Sequence, residues 1–110
     1  MKPGKVLQVG SQISESSYDF SEEIKDQEKI AEFEKWFDKI NFTEEISTPD
    51  RNADIIMQIN HYKEGIFTHP ISIWVDENET IVMNGIGTRD EVGKITNSQL
   101  NDLRNIIDSK

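Results

Sequence analysis

The sequence predicts an α+β fold: an antiparallel sheet of about four strands, in the order strand, helix, three-stranded meander, helix, with two helices packed on one face. Two observations predict it. Residues 26–40 and 97–108 carry apolar side chains at helical spacing, and three consecutive segments between residues 53 and 87 alternate with period two. A chain of 110 residues accommodates one domain, spanning residues 1–110, with a single core.

The first segment, KVLQVGSQI, is rich in β-branched and apolar residues and reads as a strand that is broken or bulged near Gly10. From Ser14 to Lys25 the text is polar apart from Tyr18 and Phe20, which fits either a loop or a second short strand, with Phe20 as the anchor into the core. Asp26 can cap a helix that runs to about Ile40, because its carboxylate can accept the free amide hydrogens of the first turn. Ile30, Phe33, Phe37 and Ile40 recur at spacings of three, four and three, so they share one helix face, with Trp36 at its edge. Their reading is core rather than a cofactor box.

Pro49 opens a turn before ADIIMQINHY, a strand with Ala53, Ile55, Met57 and Ile59 inward. Glycine-containing KEG leads to IFTHPISIWV, and DENE leads to TIVMNGIG, completing the meander. If both turns hold three residues, Ile55, Met57, Ile59, Phe67, Ile71, Ile73, Val75, Ile81 and Met83 share one face. The other face then carries Asp54, Ile56, Gln58, Asn60, Ser72, Trp74, Thr80 and Val82, and is left to solvent or to a partner. The chain closes with a loop, GTRDEVGKIT, and a helix from about Asn97 to Asp108, where Thr96 and Gln99 fit a capping box and Leu100, Leu103, Ile106 and Ile107 form the apolar stripe.

On that open face, Ile56, Trp74 and Val82 form a small apolar island, and they are the candidate partner-binding residues. Tryptophan is enriched among residues that dominate binding energy, although an isolated exposed apolar side chain needs no special explanation.

Charge narrows the partners. Twelve basic against 21 acidic residues leave a net −9, so a phosphate backbone is repelled, and residues 15–45 carry four lysines against eleven acidic residues. Nucleic acid is therefore excluded as a partner, and adsorption to an anionic lipid surface is disfavoured. With no cysteine there is no disulfide, thiolate metal site or thiol nucleophile. No apolar run is long enough for a signal peptide or a membrane span, so this chain does not insert into a membrane directly.

Motifs for chemistry are few. DRNAD, from Asp50 to Asp54, opens like an EF-hand loop, but the sixth position is Ile55 where glycine is needed and the twelfth is His61 where a bidentate glutamate belongs. NGIGTRD holds a G-x-G without the third glycine or an immediate helix. His61 and His69 would lie diagonally across the first hairpin, roughly 7 to 8 Å apart at the backbone, with Glu64 as a conceivable third ligand. Two partly exposed histidines at a hairpin end is the simpler reading. The expectation is thus no catalytic residue, no cofactor and no metal.

KDQEKIAEFEKWF, ADIIMQI, ISIWVDENETIVM, GKIT and NSQLNDLRNII, taken in that order, resemble the YhfM-like domain of small uncharacterised lipoproteins of Gram-positive bacilli, over roughly residues 20–108. The resemblance implies a non-enzymatic extracytoplasmic domain, lipid-anchored to the cytoplasmic membrane in its native form, that contacts a protein or another part of the cell envelope; a weak homo-oligomer is the alternative partner. It would require a lipobox cysteine encoded upstream. Otherwise the reading is a cytosolic interaction or regulatory domain, with a small metal-dependent enzyme using His61 and His69 as the remaining rival.

Overall fold

The computed structural model describes residues 4–43, 45–77, 79–87 and 91–108. The elements run β1 (Lys5–Ser14), β2 (Ser17–Ile24), α1 (Gln27–Asp38), β3 (Ile55–His61), β4 (Ile66–Val75), β5 (Thr80–Asn84), β6 (Val92–Ile95) and α2 (Asn97–Asp108). All six strands join one antiparallel sheet in the order β2-β1-β3-β4-β5-β6. The α+β class and the antiparallel meander therefore stand, with two strands more than expected. β2 comes from the segment left open between loop and strand. β6 comes from the segment read as a loop, where four residues pair with β5 from Thr80↔Ile95 to Met83↔Val92.

Both helices start as their caps dictate. Asp26 Oδ1 accepts the Glu28 amide at 2.9 Å, and at α2 the Thr96 hydroxyl accepts the Gln99 amide at 3.1 Å while Gln99 Oε1 accepts the Thr96 amide at 2.8 Å. Ile30, Phe33 and Trp36 from α1 and Leu100, Leu103 and Ile106 from α2 share one core with Leu7, Val9, Met57, Ile59, Ile71 and Ile73 of the sheet. Both helices thus cover the face that carries Met57, Ile71 and Ile73, as the periodicity predicts. Two aromatic positions trade places. Trp36 is buried and donates its indole N–H to the Gln99 carbonyl at 2.8 Å, which ties α1 to α2, whereas Phe37 lies at the margin against Phe42.

The opposite face is not open. The chain after α1 crosses it, and Ala53 joins Ile56, Trp74, Ile81, Met83 and Val92 in a second core, flanked by Tyr18, Phe20, Ile46 and Ile86. Ala53, expected on the helix side, belongs here. Thr43 fastens the crossing segment to β6 by two backbone bonds with Val92, at 2.8 and 2.9 Å.

Two connections decide the strand faces. Pairing of His61 with Ile66 leaves four residues in the β3–β4 turn, and pairing of Val75 with Thr80 leaves four in the β4–β5 turn. Each is one longer than the three assumed above, and one residue reverses a strand's faces. In β5 the reversal persists: Thr80 and Val82 turn toward the helices, and Ile81 and Met83 toward the second core. In β4 it is undone partway. Between Thr68↔Ile59 and Ile71↔Met57 the strand carries one extra residue, a bulge at His69 and Pro70, so Ile71 and Ile73 regain the expected face while Phe67 falls on the other.

Gly10 marks the second irregularity, where the register of β1 with β2 shifts between Val9 and Ser11. The Asp19 carbonyl oxygen occupies the place a Cβ would take, with the carbonyl carbon 2.6 Å from it. Gly10→Ala is expected to cost about 3 kcal/mol in urea unfolding, the upper part of the range for overpacking. Gly4→Ala, where nothing lies within 4 Å of the added carbon, should change stability by no more than about 0.5 kcal/mol. Equal small losses at the two positions would show that β2 yields freely.

Candidate functional site

The three residues proposed from the sequence as a partner-binding island do not form one. Val82 is fully buried on the helix side, a consequence of the four-residue turn. Ile56 and Trp74 do share the other face, but Ile56 is fully buried and Trp74 only 5% exposed, beneath the segment that crosses from α1 to β3. The Trp74 indole N–H donates to the Arg51 carbonyl at 2.8 Å. Arg51 in turn pairs with Asp54 and with Asp76, both at 3.0 Å, and Asp54 accepts the Val75 amide at 2.7 Å. Trp74 is therefore a fastening point for the crossing segment. The same contacts occupy Asp54, a would-be ligand of the EF-hand-like DRNAD stretch. The NGIGTRD stretch lies in part outside the described residues.

A hollow beside Trp74 is bordered by Tyr18, Thr48, Asp50, Asn52 and Ser72. Much of its polar surface is already engaged: Ser72 donates to the Gly85 carbonyl, Gln12 accepts the Ala53 amide, and Asn52 donates to the Ile13 carbonyl.

The arrangement with the most unspent chemistry is at the β3–β4 hairpin. Three large apolar side chains stand exposed at its end, Tyr62 (53%), Ile66 (49%) and Phe67 (56%), whereas among the other described residues Ile13 in β1 is similarly exposed, at 62%. The turn itself is closed by the Gly65 amide bonding to the His61 carbonyl at 2.9 Å, with Gly65 at a φ of 67° that glycine adopts without strain. Tyr62 reaches Glu23 of β2 through its hydroxyl at 3.3 Å.

Just behind that end, the two histidines meet. His61 Nε2 lies 2.6 Å from Thr68 Oγ1, and His69 Nδ1 lies 2.9 Å from the same oxygen. His69 is the first residue of the bulge and has a φ of 54°, the left-handed region that a side chain rarely adopts. That conformation brings its ring against α1, edge-on to Phe37 at 4.8 Å and to Phe33 at 6.3 Å between centroids. Burial there lowers the imidazole pKa from its usual value. Glu34 and Asp38 of α1 oppose the shift, and His61 and Lys5 add to it. Lys5, opposite His61 in the sheet, is itself paired with Glu34 at 3.2 Å.

No protein-family model, curated protein or solved structure matches the chain.

Sequence reasoning placed the two histidines at one hairpin end but missed Thr68 between them. Pro70 was the available signal, since proline inside an apparent strand implies a bulge or an edge. Glu64 sits in the turn, and no group of three or more His, Cys, Asp or Glu able to hold a metal occurs among the described residues.

Proposed function

We propose that this chain is a non-enzymatic interaction domain that engages a partner protein through the end of the β3–β4 hairpin. The observation that carries the reading is the exposure of Tyr62, Ile66 and Phe67 at one hairpin end, Ile66 and Phe67 on opposite faces of β4, while elsewhere both faces of the sheet carry the chain's own cores. Exposed aromatic and aliphatic groups in one place gain by burial against an apolar recess, and aromatics are prominent among residues that dominate association. The net charge of −9 favours a partner whose recess is rimmed by basic groups.

An extracytoplasmic, lipid-anchored setting in the cell envelope belongs to the proposal on the strength of the resemblance to YhfM-like domains. A cytosolic interaction domain is the alternative. The upstream reading frame separates them, because a lipobox cysteine behind an apolar run is either encoded there or not.

The double variant Ile66→Ser/Phe67→Ser tests the hairpin end. It should shift unfolding by no more than about 0.5 kcal/mol per site, as for ordinary surface positions, while weakening association by about 2 kcal/mol or more, near thirtyfold. Sedimentation of the wild type reports self-association, and comparative capture by wild type and variant reports a foreign partner. A partner held equally by both forms places the interface elsewhere.

A further inference from the structure

We propose that His61, Thr68 and His69 form a proton-operated latch that ties β3 to β4 at the neck of their hairpin above neutral pH, with the His69 ring seated on α1, and that loosens on mild acidification. A threonine hydroxyl has one hydrogen to give and two lone pairs to receive. With both imidazoles neutral, one nitrogen accepts the Thr68 hydrogen and the other donates to the Thr68 oxygen, so the contacts at 2.6 and 2.9 Å are both hydrogen bonds. One added proton preserves them: the charged ring donates, and Thr68 donates to the neutral one. A second proton is opposed by charge: both nitrogens can donate to the two lone pairs of the Thr68 oxygen, but its own hydrogen must then turn to another acceptor, and two like charges lie one hydroxyl apart.

The surroundings sharpen that step. His69 is half-buried against the rings of Phe33 and Phe37, where a charged imidazole loses hydration. The ionisable groups facing it are Glu34 and Asp38 from α1, His61 from β3 and Lys5 from β1. The two carboxylates favour the added charge, but Glu34 is already shared with Lys5. The folded chain therefore resists a proton that the unfolded chain takes up near pH 6.5. A histidine whose folded pKa is lowered costs nothing above the unfolded value, where both states are neutral. Stability is lost as pH falls from about 6.5 toward the folded value, because the unfolded state then binds more protons. The loss is local in its first expression. His61 ends β3 and Thr68 lies in β4, so the latch spans the neck from which Tyr62, Ile66 and Phe67 project, whatever that end binds.

Nuclear magnetic resonance titration of the two imidazoles in the intact protein, together with pH-corrected hydrogen exchange of the amides from 61 to 69, tests the latch. The expected result is two linked titration steps, the second below the ordinary histidine value, with exchange protection at the neck falling tenfold for each unit of that depression. The double variant His61→Gln/His69→Asn removes both titrating groups, and asparagine tolerates the left-handed backbone at 69. Its protection at the neck should be flat between pH 7.5 and 5.5. Two independent titrations at the ordinary value, or equal pH dependence in wild type and variant, would overturn the latch. The wild-type titration decides even if the variant fails to fold.

Discussion

Trp74→Ser should destabilise the protein by about 3 to 5 kcal/mol, a loss of the size that follows truncation of a large buried ring. The indole is 5% exposed, lies among Ile56, Ile81 and Met83, and holds the Arg51 carbonyl through its N–H. Serine would leave a cavity under the crossing segment and strand that carbonyl as well. Urea unfolding monitored by far-ultraviolet circular dichroism measures the effect. A change below about 1 kcal/mol would mean that the crossing segment does not hold the second core closed. Trp74→Phe separates the two contributions: it keeps most of the ring, and its cost of about 1 to 3 kcal/mol would report the unpaired carbonyl.

Phe33→Ala should be as damaging, about 3 to 5 kcal/mol, because Phe33 is fully buried between α1 and the sheet and packs on Trp36 at 5.9 Å between ring centroids. Phe37→Ala should cost clearly less, about 1 to 2 kcal/mol, since its ring remains partly exposed and its aromatic neighbours among the described residues are Phe42 and His69. The comparison is informative because periodicity alone ranks the two phenylalanines equally. If Phe37→Ala proves the costlier, α1 is rotated about its axis from the position described.

The helices were legible because their information is local. Asp26 and the Thr96–Gln99 pair announce the starts of α1 and α2, and the stripes on each helix count off a face without reference to anything distant. Strand faces are different, because they depend on the parity of each connection. In the first hairpin the assumption of three turn residues was one short, yet the bulge at His69 and Pro70 restored the parity, so Ile71 and Ile73 were placed correctly for an incomplete reason. Nothing restores it after the second turn, and Val82 went to the wrong side. The short strand β6 was hidden for another reason. Four residues with a glycine and a lysine at the centre carry too little alternation to register, and their place is set by pairing with β5 and Thr43.

The covered face was the least legible part of all. A sequence can mark Ile56 and Trp74 as apolar side chains on one side of a sheet, but whether they meet solvent depends on a long irregular segment that brings Ile46 and Ala53 over them. The histidine network was half legible. Spacing along the hairpin marks His61 and His69, while the Thr68 oxygen that joins them depends on the bulge.

The strand order also carries a kinetic consequence. From β3 to β6 each strand pairs with the next in the chain, and β1 pairs with β2, so two blocks can zip by closing short loops. They meet along a single seam, β1 against β3, where Val9 faces Met57 across all of α1 and the crossing segment. Loop closure costs the most entropy at that seam, and contact order makes such a joining the slow event of folding. A chain caught before it would present two half-sheets with bare edges at β1 and β3, strands that carry Leu7, Val9, Met57 and Ile59. The charged outer strand β2, with Asp19, Glu22 and Glu23, guards one margin of the finished sheet, but it does nothing for that inner pair until the seam has closed.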